Sequence, residues 1–239
     1  MRRFWDRAEP VPRESGWGVA LDGRPMRLPS GAALSVPSRS LAAAIAEEWQ
    51  QAGGAKGAEV AVAALRVTRV IATAIDRIAP APEGTVDALA AYGETDLLCY
   101  RAEHPPELAA RQAERWQPLL DWAALALDAP LVVTAGVVPV AQPPQARAAL
   151  RAALARRNPV ALAALGVAVP ALGSLVLGLA LAERRISADE AHALATLDEA
   201  FQIEAWGEDA EAAARLAAIA EDVRLAARIL ALAEAEPVA

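Results

Sequence analysis

Residues 16–29 read GWGVALDGRPMRLP, and the reading of that stretch decides between an all-helical chain and a mixed one. Trp17, Val19 and Leu21 alternate with small residues, which is the period of a strand with one buried face. Asp22-Gly23 is a dipeptide favoured in two-residue hairpin turns, where both central residues take positive φ. Met26 and Leu28 resume the alternation, so the stretch predicts a β-hairpin. Just beyond it, LSVPSRS (34–40) predicts a third short strand. Ser38 then caps a helix, SRSLAAAIAEEWQQAGG (38–54), which Gly53-Gly54 closes. Leu41, Ile45 and Trp49 recur every fourth residue, which sets them on one helix face toward the sheet.

Working outward, RVTRVIATAIDRI (66–78) predicts a second helix and residues from about Glu83 to Gly93 a third, leading into an expected strand at DLLCYR (96–101). After His104-Pro105-Pro106 the pattern turns helical. ELAARQAERWQPLLDWAALAL (107–127) reads as helix, with Pro118 either kinking it or starting a new segment. LVVTAGVVPVAQPP (131–144) is a short β excursion, and from Gln145 onward the pattern is helical throughout. In the last helix Leu216, Ile219, Val223, Ala226 and Leu230 step by three and four, giving one apolar seam. The expected class is α+β, with a mixed N-terminal domain over 1–103 and a mainly helical bundle domain over 104–239.

One segment raises the question of a membrane. Asn158 to Ala182 carries no charge and is long enough to span a bilayer. Against insertion stand Pro170 in its middle, Gly166, Gly173 and Gly178 around it, its many alanines and the lack of an aromatic belt. The expectation is a helix ending near Leu165, a turn through GVAVP (166–170), and a second helix from about Ala171 to Arg185, buried in a bundle. The chain is not read as membrane-embedded.

Composition narrows the function. With 239 residues and 55% hydrophobic side chains the chain can bury a sizeable core, which excludes disorder. A net charge of −7 argues against a nucleic-acid binder. The sole cysteine, Cys99, cannot form an internal disulfide, and its apolar surroundings LLCY suggest a buried, inert thiol. MRRFWDRAEP at the start lacks the apolar run of a secretory signal. GWGVAL has Leu21 where a dinucleotide-binding loop needs its third glycine, and GGAKG (53–57) lacks P-loop spacing. No Ser lies in a nucleophile-elbow pattern, and His104 and His192, the two histidines, stand far apart in sequence. No metal-ligand spacing appears. The paired carboxylates Glu47-Glu48, Asp198-Glu199 and Glu208-Asp209 occupy consecutive helical positions, which point about 100° apart, so no pair converges on one point. The chain is not expected to be an enzyme or to need a cofactor.

The strongest candidate for function is LDEAFQIEAWGEDAEA (197–212). On a helix Leu194, Leu197 and Phe201 share one face, suited to packing on a core, while Glu199, Gln202, Ile203 and Trp206 share the opposite one. A Trp and an aliphatic beside a carboxylate and an amide suit either a second packing face or the centre of a partner interface.

Several strings then matter together. RRFW (2–5), VALDGRPMRLPSG (19–31), LSVPSRSLAAAIAEEW (34–49), ATAID (72–76), YGETDLLCYRA (92–102), RQAERWQPLLDW (111–122), PVAQP (139–143), GSLVLGLAL (173–181) and LDEAFQIEAWG (197–207) occur in this order. So arranged, the chain resembles the ATP synthase assembly chaperones that bind the α subunit of the catalytic head, over about residues 3 to 225. The resemblance implies a non-enzymatic chaperone, mixed at its N-terminal end and helical at its C-terminal end, with the α subunit as partner and no cofactor. It implies an important acid in the string LDEAFQIEAWG, carried here to Glu199, with Asp198 and Glu204 as alternatives. It also implies a member acting in the bacterial cytoplasm, as its relatives act in the mitochondrial matrix. The competing reading is a small-molecule enzyme with a cleft between its domains and Glu199 as general acid. A third is a helical protein embedded in the membrane.

Overall fold

The computed structural model describes residues 1–207 and 209–234, and the chain separates into two compact units. The first comprises Met1–Pro82, Asn158–Ala164 and the segment beginning at Arg228. The second comprises Glu83–Arg157 and Leu165–Ala227. The class is α+β, as expected: a small antiparallel sheet near the N-terminus and many helices.

In the first unit, strands β1 (Ala8–Arg13), β2 (Gly16–Leu21) and β3 (Arg24–Pro25) form an antiparallel sheet in that order. The turn between β2 and β3 is Asp22-Gly23, with φ of 49° and 75°, as the hairpin reading requires. Val19, Leu21, Met26 and Leu28 are all buried. LSVPSRS is not a strand. Val36 makes an isolated bridge to Trp17, exchanging both backbone hydrogen bonds with it, and Pro37 follows at once with no N–H to continue a ladder.

Helix α1 (Arg39–Gln51) starts where predicted, with Ser38 Oγ accepting from the Leu41 N–H at 3.0 Å. Its other end is closed by Arg3, whose buried guanidinium donates to the carbonyls of Gln50, Ala52 and Gly54 at 2.8, 3.1 and 2.7 Å. A cation there satisfies carbonyls that the helix leaves unpaired and complements its dipole. Leu41, Ile45 and Trp49 are all buried. Trp5 lies against Trp49 at 4.9 Å between ring centroids, and its indole N–H donates to the Trp49 carbonyl. Helix α2 (Arg66–Thr73) has no cap of its own; Glu48 on α1 supplies one, accepting from the Val67 and Thr68 N–H groups at 2.8 and 2.9 Å.

The second unit contains α3 (Pro82–Ala90, from Glu83 onward), β4 (Tyr100–Arg101), α4 (Pro106–Leu127), β5 (Thr134–Ala135) and α5 (Pro144–Ala155). Helix α6 (Pro159–Leu172) enters it at Leu165, followed by α7 (Leu175–Ala182), α8 (Ala188–Ala195), α9 (Leu197–Trp206) and α10 (Ala210–Ala233), which leaves it after Ala227. The strand expected at DLLCYR is reduced to Tyr100–Arg101, which pairs in parallel with Thr134–Ala135; Leu97–Cys99 form a single tight helical turn. Neither Pro118, read as a kink or the start of a new segment, nor Pro170, read within a turn, ends its helix. Helix α4 runs through Pro118, and α6 runs through GVAVP to Leu172 and ends only at Gly173, with φ 62°. The C-terminal boundary near Leu165 is therefore corrected to Leu172, and the following helix starts at Leu175. Leu175 to Leu181 of α7 are all buried, which accounts for the charge-free sequence. Among the described residues no helix is long and apolar enough to cross a membrane.

Candidate functional site

Helix α9 is held firmly at one end and left open at the other. Leu197 is buried at its start, and Asp198 accepts from Gln112 Nε2 on α4 at 2.7 Å. Gln112, itself buried, accepts in turn from the Ala102 N–H. Nearby, Trp116 of α4 donates its indole N–H to the carbonyl of Leu194, and His192 of α8 lies 3.0 Å from the Leu216 carbonyl of α10 through Nε2. Helices α4, α8 and α10 thus fix where α9 begins. At the far end Gly207, with φ 87°, turns the chain away after Trp206.

The acidic positions separate by what they touch. Glu204 meets Arg111 of α4 through two parallel hydrogen bonds of 2.7 and 2.9 Å. That bidentate pair holds the Glu204 carboxyl below its ordinary range and the Arg111 guanidinium above its own, in each case chiefly through the hydrogen bond. The same guanidinium lies over the ring of Phe201 at 5.1 Å. Phe201 was expected on the core face with Leu194 and Leu197; those two are buried, but Phe201 is only half-buried, beneath Arg111 rather than in the core. Asp198 and Glu204 therefore have partners within the chain. Among the described residues Glu199 has one loose contact, Arg215 of α10 at 3.7 Å, and its side chain is 33% exposed.

The opposite face presents Glu199, Gln202, Ile203 and Trp206. Gln202 is exposed, Ile203 half-buried, and Trp206 is 80% exposed, the largest apolar side chain so displayed among the described residues. Three neighbours escaped the sequence reading: Arg111, Gln112 and Arg215. The cation spacing on α4 carried no pattern, because each makes its contact across helices rather than along one. Glu208, read as half of a carboxylate pair, lies outside the described residues.

Burial pushes the Cys99 thiol up to about 12, with the neighbouring Asp96 adding to the shift, so it stays protonated and unreactive. Among the described residues no three His, Cys, Asp or Glu side chains gather as a metal site. A cavity of about 530 Å³ lies between Glu114–Leu119 and Arg185–Leu194, and another of about 560 Å³ lies in the first unit; no residue of α9 lines either.

A family model described as ATP12 chaperone protein matches residues 2–124. The crystal structure of Atp12 from Paracoccus denitrificans is 44% identical, covers 98% of each chain and superposes with a TM-score of 0.90; an aspartate-to-lysine mutant of that protein gives the same values. The Atu1473 protein of Agrobacterium tumefaciens is 39% identical over 97% of this chain and 85% of its own, with a TM-score of 0.88. The mitochondrial protein atp12 of Schizosaccharomyces pombe is 27% identical over 223 residues, 87% of this chain and 75% of its own length.

Proposed function

Because the chain belongs to the ATP12 chaperone family, we propose that it is a non-enzymatic chaperone of ATP synthase assembly, holding the α subunit of the catalytic head until the β subunit takes its place. The observation that carries the reading is the open face of α9: an 80% exposed Trp206 beside Ile203, Gln202 and a weakly paired Glu199, on a helix whose other acids are already engaged. A lone α subunit exposes the surface meant for β, and patches of that size invite aggregation. The cover must later yield to β, which favours a small aromatic centre with a polar rim over a large apolar contact. Higher identity with the two bacterial proteins than with the yeast one supports action in the bacterial cytoplasm. No nucleic acid and no cofactor is needed for this work. The catalytic role considered for Glu199 gains no support from the two cavities described above, since neither includes it.

The test is Glu199→Gln. Its contact with Arg215 at 3.7 Å is too long for a strong pair, so the melting curve should move little; surface substitutions usually fall within about 0.5 kcal/mol. If the carboxylate meets a cation or backbone N–H of the α subunit, binding should weaken by roughly 1.5 to 3 kcal/mol. Binding isotherms with purified α subunit, beside thermal melts, decide. An unchanged affinity removes Glu199 from the interface, and a lowered melt makes it a packing residue instead.

A further inference from the structure

The first unit carries a second exposed apolar feature, remote in sequence from α9. A groove of about 560 Å³ is floored by the buried side chains of Leu21, Met26, Leu28, Trp49 and Leu65. At its rim Met1, Phe4 and Val62 are each about half exposed, at 47, 56 and 50%. Large apolar side chains left in water around an apolar depression are costly to solubility and mark a surface that is covered in use. Arg24, Arg27 and Arg69 also line it, all exposed. Arg27 and Arg69 donate to the carbonyls of Gly31 and Ala63, and none of the three forms a salt bridge with a carboxylate among the described residues.

We propose that this groove seats a short segment of the client polypeptide that places two or three large apolar side chains in the depression and carboxylates against the arginine rim. Volume and charge both point to that occupant. The space suits a few side chains rather than a folded surface. An arginine fork satisfies a carboxylate with two hydrogen bonds, and Arg27 and Arg69, whose bonds to backbone carbonyls use one N–H each, keep further donors for one. The half-exposed rim makes the site an open trough, which fits a chain lying across it better than an enclosed small molecule. The proposal rests on the reading that this chain holds a subunit of the catalytic head, and it adds a second contact, on the other unit from α9.

Overlapping short peptides covering the α and β subunits of the same organism's ATP synthase provide the probe. Parent protein and the variants Val62→Asp, Arg69→Glu and Glu199→Gln are applied to the array, and the strongest peptides are then titrated in solution. The parent should select a few α-derived peptides that combine aromatic or aliphatic residues with Asp or Glu. Val62→Asp and Arg69→Glu should each weaken them about tenfold or more, and Glu199→Gln should not. Affinity should also fall with added salt. Melts of both groove variants should match the parent, since the altered side chains are exposed. Selection of β-derived acidic peptides alone, lost in the groove variants, would uphold the groove while overturning the α subunit as client. Binding of intact α subunit with no peptide selected, or with peptides indifferent to both groove substitutions, would overturn the groove and leave the α9 reading standing. Binding of a fluorescent fatty acid that the groove variants abolish, with no peptide selected, would overturn it in favour of an amphiphile.

Discussion

An Asp96→Ala variant should lose about 3 to 5 kcal/mol of stability, because it takes the acceptor from three buried donors that each cost about 1 to 3 kcal/mol when left unsatisfied. Helix α7 is buried along nearly its whole length, so its first N–H groups cannot reach water and need acceptors inside the protein. Asp96 and Ser174 provide them. The carboxylate accepts from Ser174 Oγ at 2.7 Å, from Val176 N–H at 3.0 Å and from Leu98 N–H at 3.1 Å, and Ser174 Oγ accepts from Leu177 N–H at 3.0 Å. Alanine would orphan three donors at once, and it would leave a gap beside Leu98 and Cys99, which are fully buried. Denaturant titration followed by far-ultraviolet circular dichroism measures the loss. A midpoint within the error of the parent would show that water or a shifted backbone replaces the carboxylate.

The same site has a pH dependence with a defined sign. Burial pushes the Asp96 carboxyl above its ordinary value of 3.8, against the pull of the Val176, Ser174 and Leu98 donors. The folded state then holds the proton more tightly than the unfolded state does. Stability from this group is fully present below about 3.8 and is lost as pH rises through the elevated value. Asp96→Asn removes the titration, so the gap in melting temperature between parent and variant should be widest at acid pH and narrow toward neutrality. A gap that widens toward neutrality instead would show that the hydrogen bonds outweigh desolvation and hold the carboxyl below its ordinary value.

How much of this could be read in the sequence depends on which side of an element a residue faces. The hairpin at Asp22-Gly23, the Ser38 cap and the buried row Leu41, Ile45 and Trp49 follow from local chemistry alone, and the structure has them. Several misreadings share one cause, proline treated as punctuation. Strand β1 went unread because AEPVPR holds Pro10 and Pro12. They pair with Val19 and Trp17, whose own backbone bonds run the other way, Val19 to Met26 and Trp17 to Val36. At such positions the missing N–H would have pointed off the edge of the sheet, where proline costs nothing and blocks further pairing. Pro118 and Pro170 are tolerated for a related reason. Each frees the carbonyl four residues earlier, at Glu114 and Gly166, and all four residues are exposed, so the freed acceptor lies on a side of the helix open to solvent. Sequence spacing does not reveal which side of a helix is wet until its packing partners are known. The α9 acids were equally opaque: nothing in LDEAFQIEAWG says that Asp198 and Glu204 are bound to Gln112 and Arg111 while Glu199 is nearly free.

Trp49→Arg should be the most damaging single change within the first unit, and it should act through folding rather than through binding. Trp49 is 9% exposed, stacked at a tilt on Trp5, and its indole N–H donates to Thr68 Oγ at 2.9 Å. That hydroxyl donates to Glu48 Oε2 at 2.6 Å, and Glu48 caps α2. One side chain therefore joins the Trp5 stack, α1 and the start of α2. Truncating a buried Trp costs about 3 to 5 kcal/mol, and arginine adds a guanidinium whose nearest acceptor in that chain of bonds, Glu48, is already committed to three donors. Against a typical total of about 5 to 15 kcal/mol, the variant should be largely unfolded or aggregated at growth temperature. Trp49→Phe keeps an aromatic against Trp5 and a neutral side chain, but loses the N–H bond and part of the indole volume, and should cost about 1 to 3 kcal/mol. Because Trp49 also floors the groove proposed for the client segment, binding must be read beside the melt. An Arg variant that melts like the parent yet fails to bind would mean that this Trp serves the client, and that the core of the first unit is closed by Trp5 without it.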